Sequence, residues 1–409
     1  MSGTGPRRVV IVGAGAAGDA AAEALRRSGF DGAVVLVGRD RHAAYQRPYL
    51  SKQFLRDELP LERVQLRRPD DYEKLGIEWL GGRSAVAASR PDSSITLDDG
   101  RTLRFDDLVL ATGGSPRWPE GIPRLANVLA LRTLDDGIAL KQALSAAARP
   151  LVVGAGFIGA EVAASARVMG KEVLVVEVAP VPLGRALGEE MGEVYARIHR
   201  SRGVDLRVST SVSEWVASGD RVRAAVLSDG SREEVDLVLV AAGIEPELSL
   251  ARELELPLGA GGVLVDETLQ AEPGVYCAGD IAAHLHPVYG RPLRVEHWQV
   301  ARKQGQAAGE AVASGARPYE ELPWFWSDQY DVNLQYLGHA AGFDQTAWRG
   351  DRDGGRFAVF YLKDGCIEAV LAVNDGRTIR NSRELIRRRV RVSAEALSAE
   401  TTDLRELAR

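Results

Sequence analysis

The hydrophobic positions of this chain fall into short unbroken runs and longer periodic ones, and the same order of runs occurs twice. Val9-Val10-Ile11-Val12 is continuous and apolar, the pattern of a strand buried on both faces. It runs into Gly13-Ala14-Gly15-Ala16-Ala17-Gly18, after which an alanine-rich segment predicts a helix over 19–27. Leu151-Val152-Val153 leads in the same way into Gly154-Ala155-Gly156-Phe157-Ile158-Gly159, with a helix predicted over 160–169. Second strands are predicted at 33–37 and 171–177. Two later segments, Asp107 to Gly114 and Asp236 to Gly243, share one shape: an acid, an apolar strand, small residues and a glycine. A third strand pattern ends at Gly279-Asp280, ahead of a helix predicted over 300–313. Internal duplication of a strand-helix-strand unit accounts for this order and makes the fold class α/β, with two Rossmann-like nucleotide-binding units.

Composition narrows the function classes. With 409 residues the chain is long enough for two to four domains, each with its own core. A net charge of −6 argues against a nucleic-acid coat protein, and no apolar run approaches the ~20 residues needed to span a bilayer. Cys277 and Cys366 stand far apart and form no CxxC pair, so neither a disulfide scaffold nor a zinc ribbon is expected, and no metal site. Met1 to Arg8 is short and polar, with no signal-peptide pattern. A reducing, cytoplasmic location is the expectation.

The chemistry lies in the glycine turns. In a strand-turn-helix context, Gly13 makes the tight turn, Gly15 lets backbone approach a pyrophosphate, and Gly18 brings helix and strand together. One such motif is weak support for a dinucleotide site, but two in the same context are strong. The second unit reaches an acid, Glu177, at the distance where a ribose diol is gripped. A carboxylate there accepts from a 2′-hydroxyl and repels a 2′-phosphate, and Val178-Ala179-Pro180-Val181 supplies no cation to reverse that preference, so NADH is expected over NADPH. In the first unit Arg39 occupies the place of the acid, leaving two alternatives: Asp40 substitutes, or Arg39 meets the cofactor differently. Asp280 could accept from a ribityl hydroxyl.

Further motifs complete a family signature: Tyr45-Gln46-Arg47-Pro48-Tyr49-Leu50-Ser51-Lys52, Ala111-Thr112-Gly113, Gly154 to Glu161, Ala278-Gly279-Asp280, Val295-Glu296-His297-Trp298, and Pro323 to Tyr330. Over about 8–388 the chain resembles the FAD-dependent NADH:ferredoxin reductases, the putidaredoxin reductase-like branch of the pyridine nucleotide-disulfide oxidoreductase superfamily. The resemblance implies a split FAD-binding domain (1–115 and 245–318), an NADH-binding domain (116–244) and a C-terminal α+β domain on an antiparallel sheet (319–409). It implies FAD contacts at Gly13, Gly15, Ala16, Ala17, Asp40, Arg47, Lys52, Ala85, Ala111, Thr112, Gly113, Arg132, Gly279 and Asp280. Glu296, His297, Trp298 and Trp326 would edge the flavin, and Gly154, Gly156, Phe157, Ile158, Gly159, Glu161, Glu177, Arg185 and Gly243 would serve the NADH side. Lys52 and Glu161 are the catalytic candidates, as a buried pair between flavin and nicotinamide. Departures from the family pattern are Arg39 for the usual acid, Tyr49 for a second proline and Val300 for an asparagine.

The implied activity passes hydride from NADH to the flavin and single electrons onward to a [2Fe-2S] ferredoxin that feeds a cytochrome P450 or a ring-hydroxylating dioxygenase. Disulfide reductases and peroxidases of this fold need sulfur just after the first nucleotide unit, and Tyr45 to Leu55 has none. Two other classes remain: an NADH oxidase, and an NADH-sensing flavoprotein of the apoptosis-inducing-factor type. The protein is expected to be a monomer or homodimer. The arginines at 377, 380, 383, 387, 388 and 389 form either a solvated helix face or a basic patch for an acidic ferredoxin.

Overall fold

The computed structural model describes residues 7–408, so Met1 to Pro6, at the start of the polar N-terminal stretch, lie outside the described residues. In chain order, the first unit contains β1 (Arg8–Val12), α1 (Ala16–Arg27), β2 (Ala33–Gly38) and β3 (Asp107–Leu110). The second contains β4 (Pro150–Val153), α2 (Phe157–Val168), β5 (Leu174–Val176), α3 (Glu189–Ser201) and β6 (Leu237–Val240). The chain then returns through β7 (Val275–Cys277) and α4 (Trp298–Ser314), and continues into β8 (Trp324–Gln329), β9 (Val332–Gly338), three more strands, α5 (Gly376–Arg387) and a short last helix, Ala394–Ser398.

The duplication read from the sequence is present as topology. β1 pairs in parallel with β2 on one side and β3 on the other, and β4 pairs in parallel with β5 and β6 in the same arrangement. β7 adds in parallel to β3 and returns the chain to the first sheet. The chain leaves and re-enters that unit through one antiparallel ribbon, Gly114–Pro116 against Ile244–Pro246. After α4 the sheet type changes: β8, β9, Cys366–Val373, Arg356–Lys363 and Gln345–Asp351 pair antiparallel in that spatial order.

Both glycine-turn helices start earlier than their hydrophobic pattern predicts. Gly15 is itself the N-cap of α1, with an extended backbone, so the third glycine lies in the first helical turn. Gly13 sits at φ +110°, and a Cβ on Gly18 would fall 1.7 Å from the Gly13 carbonyl oxygen. Helix and turn can therefore close only on glycine. α1 and α4 cross through small residues: a Cβ on Gly305 would fall 2.0 Å from the Ala17 oxygen, and one on Gly309 2.3 Å from that of Ala21. This close approach brings both helix N-termini, Ala16 and Trp298, to the same opening.

Candidate functional site

One cavity of about 1380 Å³ is open to both glycine turns. Of the residues expected to contact FAD or NADH, all line it except Gly154, Gly159 and Glu177. Gly154 and Gly159 instead pack the second turn, where a Cβ on Gly159 would fall 2.0 Å from the Gly154 oxygen. Glu177, just past β5, accepts from the backbone N–H of Ala155 at 2.6 Å and of Ala179 at 2.8 Å. It pins the glycine turn, and its remaining lone pairs stay available to a diol.

The first turn is shaped for an anion. α1 has no side-chain cap, so the N–H groups of its first turn need other partners, and the Arg47 guanidinium lies 3.7 Å from where a Gly15 Cβ would be. Past the end of β2, the Asp40 carboxylate accepts from the His42 N–H (3.0 Å) and the Tyr45 hydroxyl (2.7 Å). Arg39 points along the wall toward Ser115, with Nη2 3.5 Å from Oγ. Arg39 and Asp40 both line the cavity, so the two alternatives for this unit stand together at its wall.

Opposite, Asp280 follows Gly279, whose N–H donates to the buried Gln304 at 2.9 Å. One Asp280 oxygen accepts from Arg132 Nη2 at 2.6 Å. Burial pushes the Arg132 guanidinium below its ordinary range, and the charge of Arg47 adds to that, while Asp280 opposes it. His297 stacks on Phe325, with ring centroids 3.8 Å apart, and burial pushes its imidazole down to about 4, so the ring is neutral. Next to it the Trp298 indole N–H is buried without a protein partner. Trp326 meets Trp298 edge-on at 6.4 Å and stacks on Trp324 at 5.4 Å.

Lys52 and Glu161 lie at the cavity floor with side chains only 3% and 7% exposed, joined at 2.8 Å. Glu161 Oε2 also accepts from Ser51 Oγ at 2.5 Å, and Oε1 from Ser327 Oγ at 2.7 Å. Ser51 and Ser327 stand inside the two sequence motifs, but nothing in their residue type marked them as partners of Glu161. The wall residue Phe325 stood inside a motif without being singled out, Arg294 only adjoined one, and Tyr336 carried no sequence signal.

The arginine cluster is partly neutralised. Arg383 pairs with Glu321 (3.3 Å), Arg387 and Arg388 share Glu384, and Arg389 pairs with Glu368 (3.0 Å). Arg377 and Arg380 are exposed and make no ion pair among the described residues. None of the six lines the cavity.

The residues present fit a flavin dinucleotide: a bare glycine cradle at a helix N-terminus, an arginine beside it, and an orphaned indole donor on the wall where the isoalloxazine is expected. Two parallel dinucleotide-type units sharing one cavity define a class of nicotinamide- and flavin-using oxidoreductases. The chain belongs to the pyridine nucleotide-disulphide oxidoreductase family, whose model matches residues 7–305, and residues 324–408 match the reductase C-terminal domain. Among relatives, it is 35% identical to putidaredoxin reductase of Pseudomonas putida over 98% of this chain and 96% of that one. It is 39% identical to the ferredoxin–NAD(+) reductase component of an anthranilate 1,2-dioxygenase system from Burkholderia cepacia, covering 92% and 93%. The structure matches the reductase in a covalent putidaredoxin reductase–putidaredoxin complex with a TM-score of 0.94 at 34% identity, covering 99% of this chain and 98% of that one.

Proposed function

We propose that this protein is an FAD-dependent NADH:ferredoxin reductase that supplies electrons, through a [2Fe-2S] ferredoxin, to an oxygenase of the cytochrome P450 or ring-hydroxylating type. The observation that carries the reading is the single cavity joining both glycine turns over the Lys52–Glu161 pair, in a chain whose relatives along nearly its whole length are named as such reductases. Bound FAD supplies the exchange between two-electron and one-electron transfer.

The chain's own groups bind, orient and hold charge. Gly13, Gly15, Ala16, Ala17 and Arg47 would hold the pyrophosphate, with Asp280, fixed by Arg132, accepting from the ribityl chain. Lys52 Nζ at the cavity floor would stabilise negative charge on a reduced flavin, and Glu161 holds that ammonium in place. Phe157, His297 and Phe325 pack ring against ring in the cavity wall and would exclude water from a bound flavin. The antiparallel ribbon Gly114–Pro116/Ile244–Pro246 and the change of sheet type after α4 support three domains at 1–115 with 245–318, 116–244, and 319–409. Both cysteines are free and buried, and no helix among the described residues is long and apolar enough to cross a membrane, which supports a cytoplasmic enzyme without a thiol step.

The test is electron acceptance. The FAD-loaded protein is expected to reduce ferricyanide and a [2Fe-2S] ferredoxin rapidly with NADH and to consume oxygen slowly without them. Fast oxygen consumption with no effect of ferredoxin would make it an oxidase, and an NADH-driven change of oligomeric state without turnover would make it a sensor.

A further inference from the structure

Glu161 terminates a chain of buried polar groups that runs away from the cavity and through the C-terminal hairpin. Ser327 Oγ lies 2.7 Å from Glu161 Oε1 and 3.2 Å from Gln329 Nε2. Gln329 Oε1 lies 2.8 Å from His199 Nε2, and His199 Nδ1 lies 3.2 Å from the Tyr330 hydroxyl. Ser327 and Gln329 are on β8, fully buried and on one face of the strand, while His199 is on α3 and Glu161 on α2. The chain therefore joins three parts of the sequence that share no secondary structure.

The direction of every bond follows from its end. An ionised carboxylate only accepts, so Ser327 must donate to Glu161 and is left with lone pairs for the Gln329 amide N–H. That orientation turns the Gln329 carbonyl toward His199, which must then carry its proton on Nε2 and accept the Tyr330 hydroxyl on Nδ1. Burial lowers the affinity of His199 for a second proton, in agreement with the neutral form. Tyr330 is held there by the turn after β8, with φ at +58°, by the Arg202 guanidinium 5.3 Å from its ring centre, and by the Arg202–Asp331 ion pair. Tyr195, one turn before His199 on α3, is also buried, but its hydroxyl has no protein partner and stands outside the chain.

We propose that Ser327, Gln329 and His199 are positioning residues: a one-way series of hydrogen-bond donors, anchored at Tyr330, that fixes Glu161 and through it Lys52 at the cavity floor. The inference rests on the reading of this cavity as the site where NADH reduces a flavin. Its consequence is that the C-terminal hairpin sets the geometry of a group contributed by the first nucleotide unit.

Two measurements test it. In the FAD-loaded parent protein with 15N-labelled histidine, the His199 ring, identified by its response to Tyr330→Phe, is expected as the neutral Nε2–H tautomer at neutral pH. A protonated ring or an Nδ1–H tautomer overturns the inference whether or not NADH reduces the flavin. In stopped flow, Ser327→Ala is expected to slow flavin reduction about ten-fold while the NADH dissociation constant changes less than about two-fold, since a donor to a buried charge is lost without touching the nucleotide. Ser327→Thr, which keeps the hydroxyl, is expected to recover most of the rate, and Tyr195→Phe to match the parent. A Ser327→Ala rate equal to the parent's overturns the inference, whereas a parent protein that NADH does not reduce at all overturns the functional reading instead.

Discussion

Lys52 Nζ lies 2.8 Å from Glu161 Oε2 although 109 residues separate them, and the contact crosses from the first nucleotide unit to the second. Both groups are almost wholly buried, so each depends on the other to offset the loss of hydration. Lys52→Met leaves Glu161 with hydroxyl donors alone. Flavin reduction by NADH is expected to slow by about 100-fold, the usual order for losing one preorganised charge or donor that stabilises developing negative charge. Stopped-flow absorbance of the flavin checks this, with FAD saturation confirmed spectrally.

Glu177 holds the second glycine turn, and in the reading proposed above it also accepts from the NADH ribose; one substitution removes both. Glu177→Ala removes the acceptor for a ribose diol and also the bonds to the Ala155 and Ala179 N–H groups. NADH affinity is expected to fall about ten-fold, for a loss on the order of 1.5 kcal/mol, and the preference over NADPH to narrow because the repulsion of a 2′-phosphate disappears. Dissociation constants for both nucleotides, with a melting curve for the turn's contribution to stability, give the result.

Arg39 stands where the acid of the first unit is expected, and the neighbouring Asp40 carboxylate already accepts one hydrogen bond on each oxygen, from His42 and Tyr45. Arg39→Glu is expected to tighten FAD several-fold, about 1 kcal/mol for one regained ribose hydrogen bond. Fluorescence titration of the apoprotein with FAD measures it. An unchanged dissociation constant would mean that the adenosine ribose is held by other groups.

Strand register places Trp324 and Trp326 on the same sheet face as Gln335 and Leu337 of β9, the face that α5 covers. The exposed arginines of α5 therefore share a side of the C-terminal sheet with the tryptophans that lead out of the cavity. For a partner as acidic as ferredoxins commonly are, turnover with ferredoxin is expected to fall with added salt, and ferricyanide reduction much less. Arg377→Glu with Arg380→Glu should raise the Michaelis constant for ferredoxin several-fold, each exposed contact being worth about 0–1 kcal/mol. The same change at Arg387 and Arg388 is expected to do less, since Glu384 already offsets them.

His286 is buried, with Nε2 on the Glu321 carbonyl and Nδ1 accepting from the Val288 N–H, and burial pushes it from 6.5 down to about 4. Between those values the unfolded chain binds the proton and the folded one does not. Its contribution to stability is thus present above pH 6.5 and is lost as the pH falls toward 4. Unfolding free energy is expected to drop by about 2 kcal/mol between pH 7 and pH 5 from this group. His286→Gln should flatten that slope in denaturant titrations at the two pH values.

The two glycine turns, their flanking strands and the duplication were legible in the sequence because each is short-range. A strand, a tight turn and the first helical turn are specified by contiguous residues, and only glycine tolerates the contacts made at Gly13 and Gly18. The helix starts were misplaced by one turn because Gly15 and Gly156 act as N-caps, a backbone role that hydrophobic periodicity does not register. The Lys52–Glu161 pairing was expected only through the family motifs, and its depth and its bonds to Ser51 and Ser327 belong to the tertiary structure. The same holds for the engagement of Asp40, the neutralisation of Arg387 and Arg388, and the donor series through Gln329 and His199. Each of these depends on where separate elements converge, and side-chain spacing along the chain carries no record of distances across a cavity or between a hairpin and a helix 130 residues away.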